Sequence, residues 1–145
     1  MFISQFGINA QNIKGAGSGG GMGAGVHVFL NANMSLGIEL IKEIIQFDKK
    51  IKNADWIITG EGSLDQSSFY GKTIMGIVTS AKQYNIPIAA LCGIIKITKE
   101  NLKEKGITYS ASLVEETRDI EKAIKNPRLY LKIITKKLIL NFIQN

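Results

Sequence analysis

Apolar runs, polar turns and amphipathic segments follow one another in a repeating order from residue 54 onward. This order is typical of βαβ units, in which a strand, a turn and a helix recur along the chain. It predicts three strands, at Asp55–Thr59, Ile88–Cys92 and Ser110–Val114. The segments between and after them predict helices at about Lys72–Tyr84, Thr98–Lys105 and Asp119–Gln144. Because strands that are apolar on both faces need cover on both sides, the predicted fold class is α/β, a parallel sheet with helices on both faces.

Two further segments complete the predicted helices. The last predicted helix contains Asn126-Pro127, and proline disfavours helical backbone in the residue before it, so we expect a break there. Upstream, the segment Ser35–Phe47 repeats apolar residues at helical spacing, with Ser35 as a suitable N-cap. Residues 1–33 show no comparable repeat, and we expect them to be organised differently.

The segment Gly15–Gly25, with the sequence GAGSGGGMGAG, contains seven glycines in eleven residues. So many residues without side chains predict either a sharp turn or a close approach of another group to the backbone. In the second case the backbone of Gly17, Ser18, Gly19 and Gly20 would hold a phosphate or a carboxylate. The segment formally contains G-x-G-x-x-G, but it lacks the preceding strand and the later acidic residue of a dinucleotide-binding fingerprint. A structural turn and an anion-binding loop both remain open.

Composition and charge narrow the classes of function. The chain has 145 residues, of which 45% are apolar, and a formal net charge of +6. Seven basic residues near the C-terminus alternate with apolar residues, which indicates an amphipathic helix with a solvated basic face. Aromatic side chains are not interleaved with them, so a base-stacking surface for nucleic acid is disfavoured. The seven are Arg118, Lys122, Lys125, Arg128, Lys132, Lys136 and Lys137.

The chain has a single cysteine, Cys92, and a single histidine, His27. These numbers exclude an internal disulfide framework and a zinc site built from cysteines and histidines. No apolar run reaches the roughly 20 residues of a membrane span, and the N-terminus lacks the features of a signal peptide. We therefore expect a cytoplasmic protein without a membrane partner, in which any metal is held by carboxylates. We expect Cys92 and Trp56 to be core residues and His27 to be a packing or capping residue.

The stretch WIITGEGSLDQSSFYGKT, residues 56–73, leads from a predicted strand into a glycine-framed acidic loop. Its GKT suggests a P-loop, but Gln66 stands where that motif needs its first glycine. Two carboxylates beyond the carboxyl end of a strand, Glu61 and Asp65, instead suit a Mg²⁺ that arrives with a phosphate ligand. Lys72, at the start of the next helix, would offset phosphate charge. The alternative is that the two acids are solvated turn residues and Lys72 is a surface cation.

These two motifs, in this order and at this separation, resemble the C-terminal portion of the bacterial two-domain glycerate kinase family. In that family a segment of the form GAGAAGGLGAG is followed by an apolar helix, a strand ending in TGEGxxD, and GK. The resemblance implies phosphoryl transfer from ATP, with Mg²⁺, to a hydroxyl of D-glycerate. It implies Asp65 and Lys72 as catalytic residues and Glu61 and Asp65 as metal ligands. The substrate- or phosphate-binding residues that it implies are Gly17, Ser18, Gly19, Gly20, Gly60, Glu61, Gly62 and Gly71.

Members of that family are considerably longer than this chain. The resemblance implies that residues 1–33 are the tail of an inserted domain and residues 34–145 the C-terminal part of a Rossmann-like α/β domain. A sheet without its first strands exposes an apolar edge, so we expect a homo-oligomer or a complementary N-terminal chain to cover it. A truncated or split kinase is one hypothesis. The alternative is a non-catalytic Rossmann-like module that binds a nucleotide or a partner chain.

Overall fold

The computed structural model describes residues 2–70 and 73–143. Contacts within the chain define two compact units, Met1–Leu40 and Ile41–Asn145. The first unit contains α1 (Phe2–Phe6), a 3₁₀ turn (Ala10–Asn12) and α2 (Ser18–Leu30). The assignment of residues 1–33 to an inserted domain stays a prediction.

Short helices and strands alternate through the rest of the chain. They are α3 (Gly37–Ile44), α4 (Phe47–Ile51), β1 (Ile57–Thr59), β2 (Ser63–Leu64), a second 3₁₀ turn (Gln66–Phe69), α5 (Thr73–Gln83), β3 (Ile88–Cys92), β4 (Ile94–Ile95), α6 (Lys99–Lys105), β5 (Tyr109–Ser112), α7 (Leu113–Thr117), α8 (Ile120–Lys125) and α9 (Pro127–Ile143). Apart from the tight connection at β3–β4, helices or turns separate successive strands, which is the βαβ order that the sequence pattern predicts.

The main sheet has the strand order β1-β3-β5, and both neighbouring pairs are parallel. Ile57 lies opposite Ile88, and Ala90 lies opposite both Thr59 on one side and Ser110 on the other. All five residues of the central strand β3 are buried. A second, two-stranded parallel ladder joins β2 to β4 beyond the ends of β1 and β3. The predicted α/β class with a parallel sheet is confirmed.

Helices cover both faces of the main sheet because alternate residues of β3 point to opposite sides. On one face Ile88, Ala90 and Cys92 join a buried cluster with α5 and α6. On the other face Ala89 and Leu91 pack in a cluster with α7, α8 and α9. Members of the first cluster from the helices are Ile74, Val78, Ala81 and Leu102, and those of the second are Leu113, Ala123, Ile134 and Leu138.

The strand boundaries differ from the predictions at three places. Strand β3 is as predicted, while β1 begins at Ile57 rather than Asp55. Strand β5 begins at Tyr109 rather than Ser110 and ends at Ser112, so the prediction of a strand to Val114 is wrong. The Oγ of Ser112 accepts a hydrogen bond from the Glu115 N–H at 3.1 Å. This N-cap starts α7 at once, because it satisfies a backbone donor that a helix start leaves unpaired.

Helix predictions succeed in the C-terminal half and fail in part upstream. The break at Asn126-Pro127 is confirmed, since α8 ends at Lys125 and α9 begins at Pro127. The single helix predicted over Ser35–Phe47 is wrong, because left-handed backbone at Gln46 (φ 52°) separates α3 from α4. Ser35 is not the cap either. The Leu36 carbonyl accepts the first helical hydrogen bonds of α3, from the N–H groups of Glu39 and Leu40.

The basic residues near the C-terminus behave as a solvated face. All seven are exposed, as the amphipathic pattern predicts. Lys137 pairs with Glu116 at 2.6 Å and Lys122 with Asp119 at 3.6 Å. Exposed pairs of this kind contribute little to stability, so these residues mainly keep the helix surface in water. Across the described part of the chain, no helix is long and apolar enough to cross a membrane.

Candidate functional site

The acidic loop, residues 60–65, extends from the carboxyl end of β1 and is fixed to the carboxyl end of β3 by backbone hydrogen bonds. The Gly93 N–H donates to the Glu61 carbonyl at 3.0 Å, and the Ile94 N–H donates to the Gly62 carbonyl at 3.0 Å. The Lys96 N–H donates to the Leu64 carbonyl at 2.9 Å. Three bonds along six residues hold the loop in one conformation, at the sheet edge where open parallel sheets bind ligands.

Two glycines at this edge are required by close backbone contacts. A Cβ added to Gly60 would lie 2.7 Å from the Leu91 carbonyl oxygen, and one added to Gly93 would lie 2.5 Å from the Gly62 carbonyl oxygen. Both distances are shorter than van der Waals contact, and backbone atoms cannot move away as a flexible side chain can. Gly62 differs, because a Cβ added there meets open space among the described residues.

We expect Gly93→Ala to lower the free energy of unfolding by about 2 kcal/mol, the cost of forcing a methyl group into a filled space. Gly62→Ala is the matched control and should change it by less than about 0.5 kcal/mol. Urea unfolding followed by the fluorescence of the single tryptophan, Trp56, measures both, since its ring stacks on Phe142 with centroids 4.2 Å apart. Equal stability of the two variants would show that the 60–62 and 93 backbones are not held in contact in solution.

Asp65 is oriented by the residues that follow it. Its Oδ1 accepts hydrogen bonds from the Ser67 N–H at 2.8 Å and the Ser67 hydroxyl at 2.7 Å. The Asp65 N–H donates to the Ser68 Oγ at 3.2 Å, which completes a reciprocal capping box at the start of the 3₁₀ turn. This local role fixes the direction of the carboxylate. An aspartate at this position in the sequence is compatible both with this capping role and with metal binding or catalysis. The metal-binding and catalytic role of Asp65 stays a prediction.

Glu61 lies half-buried beside Cys92, the last residue of the central strand. Burial raises the pKa of the Cys92 thiol, the backbone of Glu61 lowers it by a smaller amount through a hydrogen bond, and the Glu61 charge adds a further rise. The thiol is therefore protonated near neutral pH and packs as a core group, as predicted. The same contacts locate Glu61 at the end of β3, next to the glycine turn at Gly93.

The remaining predicted residues of this loop and the following turn fall outside what the structure describes. Gly71 and Lys72 lie outside the described residues. Within residues 2–70 and 73–143, no group of three or more His, Cys, Asp or Glu side chains could hold a metal ion. Glu61 and Asp65 alone make a donor set that fits Mg²⁺ bound together with phosphates, because Mg²⁺ commonly takes one or two carboxylates and completes its shell with phosphates and water.

The glycine-rich segment belongs to the first compact unit and forms a tight turn there. The Ser18 N–H donates to the Gly15 carbonyl at 2.9 Å, and the Ala24 N–H donates to the Ala16 carbonyl at 3.0 Å. Residues Gly19–Gly21 are all left-handed, with φ of 60°, 66° and 97°, which explains the run of glycines. A Cβ on Gly23 would lie 2.3 Å from the Gly15 carbonyl oxygen, so the turn also needs a glycine there.

The structural-turn interpretation thus has direct support in the backbone of this segment. An anion-binding role for Gly17, Ser18, Gly19 and Gly20 stays a prediction. At the end of α2, His27 Nδ1 lies 3.0 Å from the Ala32 carbonyl oxygen, which is the capping contact expected of it.

Comparison with known proteins assigns the family. The model of the glycerate kinase family matches residues 1–143, nearly the whole chain. The chain belongs to the glycerate kinase family. A glycerate kinase from Halalkalibacterium halodurans is 39% identical over 121 residues, which cover 83% of this chain and 32% of that protein. One from Bacillus cereus is 35% identical over 130 residues, or 90% of this chain and 34% of the relative.

A structural relative agrees with this assignment. A crystal structure provisionally named glycerate kinase 2, from Salmonella typhimurium LT2, matches with a TM-score of 0.59 and 26% identity. The match covers 91% of this chain and 36% of that one. The chain thus spans about a third of the length of the relatives that it matches. It corresponds to the C-terminal portion of those relatives.

The acidic loop of this family member was located from the sequence, but the backbone contacts that fix the loop in place were not predicted. The β2–β4 ladder was not predicted, because two-residue strands are too short to show alternation. The capping box was also missed, although the D-x-x-S spacing of Asp65 and Ser68 was available as a signal. The need for glycine at position 93 was also missed, since its close approach to Gly62 joins positions far apart in the chain.

Proposed function

We propose that this chain supplies the acidic loop of an ATP- and Mg²⁺-dependent glycerate kinase. The observation that carries the proposal is the acidic loop itself, which follows β1, is hydrogen-bonded to the backbone after β3 and contains Glu61 and Asp65. Open parallel sheets commonly bind ligands at this edge. Phosphoryl transfer needs mainly positioning and neutralisation of charge, and a rigid loop with two carboxylates suits that requirement.

In the proposed reaction the bond between the γ-phosphorus and its bridging oxygen breaks, and an oxygen of a glycerate hydroxyl bonds to that phosphorus. Glu61 and Asp65 would hold Mg²⁺ or order its water molecules, and Lys72 would offset phosphate charge. Bound Mg²⁺ would supply neutralisation of the phosphate oxygens. Asp65 is also the candidate acceptor of the hydroxyl proton, with its direction set by Ser67 and Ser68. The turn at Gly17–Gly20 would bind phosphate or the substrate carboxylate.

A partner at the sheet edge is part of the proposal. In the described part of the chain, β1 and β5 each pair on one side only, and Ile58 of β1 is 56% exposed. An unpaired strand with an exposed isoleucine favours association with a second copy or with a chain corresponding to the rest of the relatives' length. The cytoplasm stays the predicted location.

A chimera tests the proposal. This chain would replace its matched region in the Halalkalibacterium halodurans glycerate kinase, and ADP formation from ATP would be measured with and without glycerate and Mg²⁺. We expect glycerate- and Mg²⁺-dependent activity within about tenfold of the parent, because the acidic loop enters the chimera together with the backbone partners that hold it. The matched region of the Bacillus cereus relative, inserted at the same junctions, is the control.

Activity of the control chimera together with inactivity of a folded chimera that contains this chain would overturn the kinase proposal. In that case, nucleotide binding by this chain alone would favour the alternative function, a non-catalytic Rossmann-like binding module. The same assay on the isolated chain shows whether it acts without the rest of the kinase.

A further inference from the structure

A pocket of about 320 Å³ lies beside the acidic loop, beyond the carboxyl ends of all three strands of the main sheet. Gly62 follows β1, Gly93 follows β3 and Leu113 follows β5, and each of them lines the pocket. Ligand pockets of open parallel sheets form at this edge, and the volume is within the range of small-molecule sites. The pocket is therefore placed and sized to hold part of a ligand.

The residues that line the pocket are all apolar, and they are of two sizes. The small residues Gly62, Gly93 and Ala123 leave room for the pocket, and larger branched or cyclic apolar side chains enclose it. None of the described lining residues carries a charge. The enclosing residues are Ile94, Leu113, Val114, Ile120, Ile124 and Pro127. Of these, Ile120 is 54% exposed and Ile124 is 74% exposed, so two isoleucines at the rim stand in water.

The two co-substrates of the proposed reaction differ in their fit to such a lining. Glycerate carries a carboxylate and two hydroxyls on three carbons, and it would lose their hydration here without gaining partners. A purine base has two flat faces of low polarity, and it would cover the isoleucines at the rim. We propose that this pocket binds the purine base of ATP. The inference rests on the proposed function, because the kinase reaction is what brings a nucleotide to this edge.

The connection between pocket and acidic loop fits a nucleotide that spans both. Gly62 lines the pocket and also belongs to the acidic loop, directly after Glu61. The N–H groups of Gly93 and Ile94, two lining residues, donate to the carbonyls of Glu61 and Gly62. A base in the pocket would therefore have the rest of the nucleotide next to the acidic loop, whose backbone is held against the pocket by these hydrogen bonds.

Two matched variants test the pocket. Ile120 begins α8 and Leu129 lies in the first turn of α9, both are 54% exposed, and Leu129 is not among the lining residues. We expect Ile120→Asn to weaken the binding of adenosine and of ATP about tenfold, since it removes an apolar wall from a largely apolar contact. Leu129→Asn should leave both affinities within about twofold, because surface changes away from a site have small effects.

Isothermal titration of the full chain with adenosine, ATP, glycerate and Mg²⁺-tripolyphosphate separates the two proposals. Adenosine binding that Ile120→Asn weakens, with tripolyphosphate binding unchanged, supports the pocket. Isoleucine methyl NMR should then show adenosine-induced shifts at Ile94, Ile120 and Ile124.

Three results would overturn the pocket, even if tripolyphosphate binds and the chimera is active. They are the absence of adenosine binding, equal adenosine binding by Ile120→Asn, and glycerate binding that depends on Ile120. Adenosine binding, combined with a folded but inactive chimera and an active control chimera, supports the pocket and overturns the kinase proposal.

Discussion

Glu61→Gln is expected to lower the rate of glycerate phosphorylation by the chimera on the order of 100- to 1,000-fold, the size of effect seen when one preorganised charge-stabilising group is lost. Glutamine keeps the size of the side chain, and the backbone bond from Gly93 to the carbonyl of residue 61 is unaffected. The change therefore removes one negative charge from the edge of the sheet and little else. The Mg²⁺ concentration for half-maximal activity should rise in parallel, because a carboxylate ligand has become a neutral amide.

Glu104→Gln is the matched control, since Glu104 is an exposed carboxylate on α6, outside the acidic loop. We expect its activity and Mg²⁺ dependence to equal those of the unmodified chimera. If Glu61→Gln also retained both, Glu61 would be a turn residue, and the assignment of Mg²⁺ to this carboxylate would be wrong.

Asp65 needs a different pair of variants because its carboxylate also caps the 3₁₀ turn. Asparagine keeps a side-chain oxygen that can accept from the Ser67 N–H and loses only the charge, whereas alanine loses both. A role in phosphoryl transfer predicts that Asp65→Asn and Asp65→Ala are both strongly impaired. Activity retained by Asp65→Asn and lost only by Asp65→Ala would show that residue 65 acts through the cap.

Leu64→Ala should lower the free energy of unfolding by about 2 to 5 kcal/mol, the cost of deleting a fully buried leucine and leaving a cavity. Leu64 is 0% exposed and is the apolar residue that joins the acidic loop to the main core. A loss of this size is a large part of the total stability of an ordinary domain, roughly 5 to 15 kcal/mol. The midpoint of urea unfolding, followed by Trp56 fluorescence, measures the loss.

Leu129→Ala is the corresponding control, because it deletes the same atoms from a side chain that is 54% exposed. Its unfolding midpoint should lie close to that of the unmodified chain. A similar, small effect of both substitutions would mean that Leu64 is not anchored in the core and that the acidic loop is less rigid than its hydrogen bonds indicate.

Strands and helices were predictable from the sequence to different degrees, for identifiable reasons. Strand β3 was predicted to the residue because it is buried on both faces and follows Pro87, which marks its start. The predicted end of β5 was wrong because Ser112 favours a helix N-cap over continued strand, a local preference hidden within an apolar run. The break between α8 and α9 was predicted because proline acts on its neighbour directly.

The sequence by itself determined the α/β class, the position of the acidic loop after a buried strand, and the exclusion of a P-loop at Gln66. These three conclusions follow from the periodicity of apolar residues and from the chemistry of residues that are neighbours in the sequence. Only the tertiary structure decided that Gly93 must be a glycine, that Leu64 anchors the loop, and that apolar residues after β1, β3 and β5 enclose a pocket. The physical reason is that each of these depends on the parallel pairing of strands whose partner residues are about twenty to thirty positions apart, which brings together atoms that the sequence keeps separate.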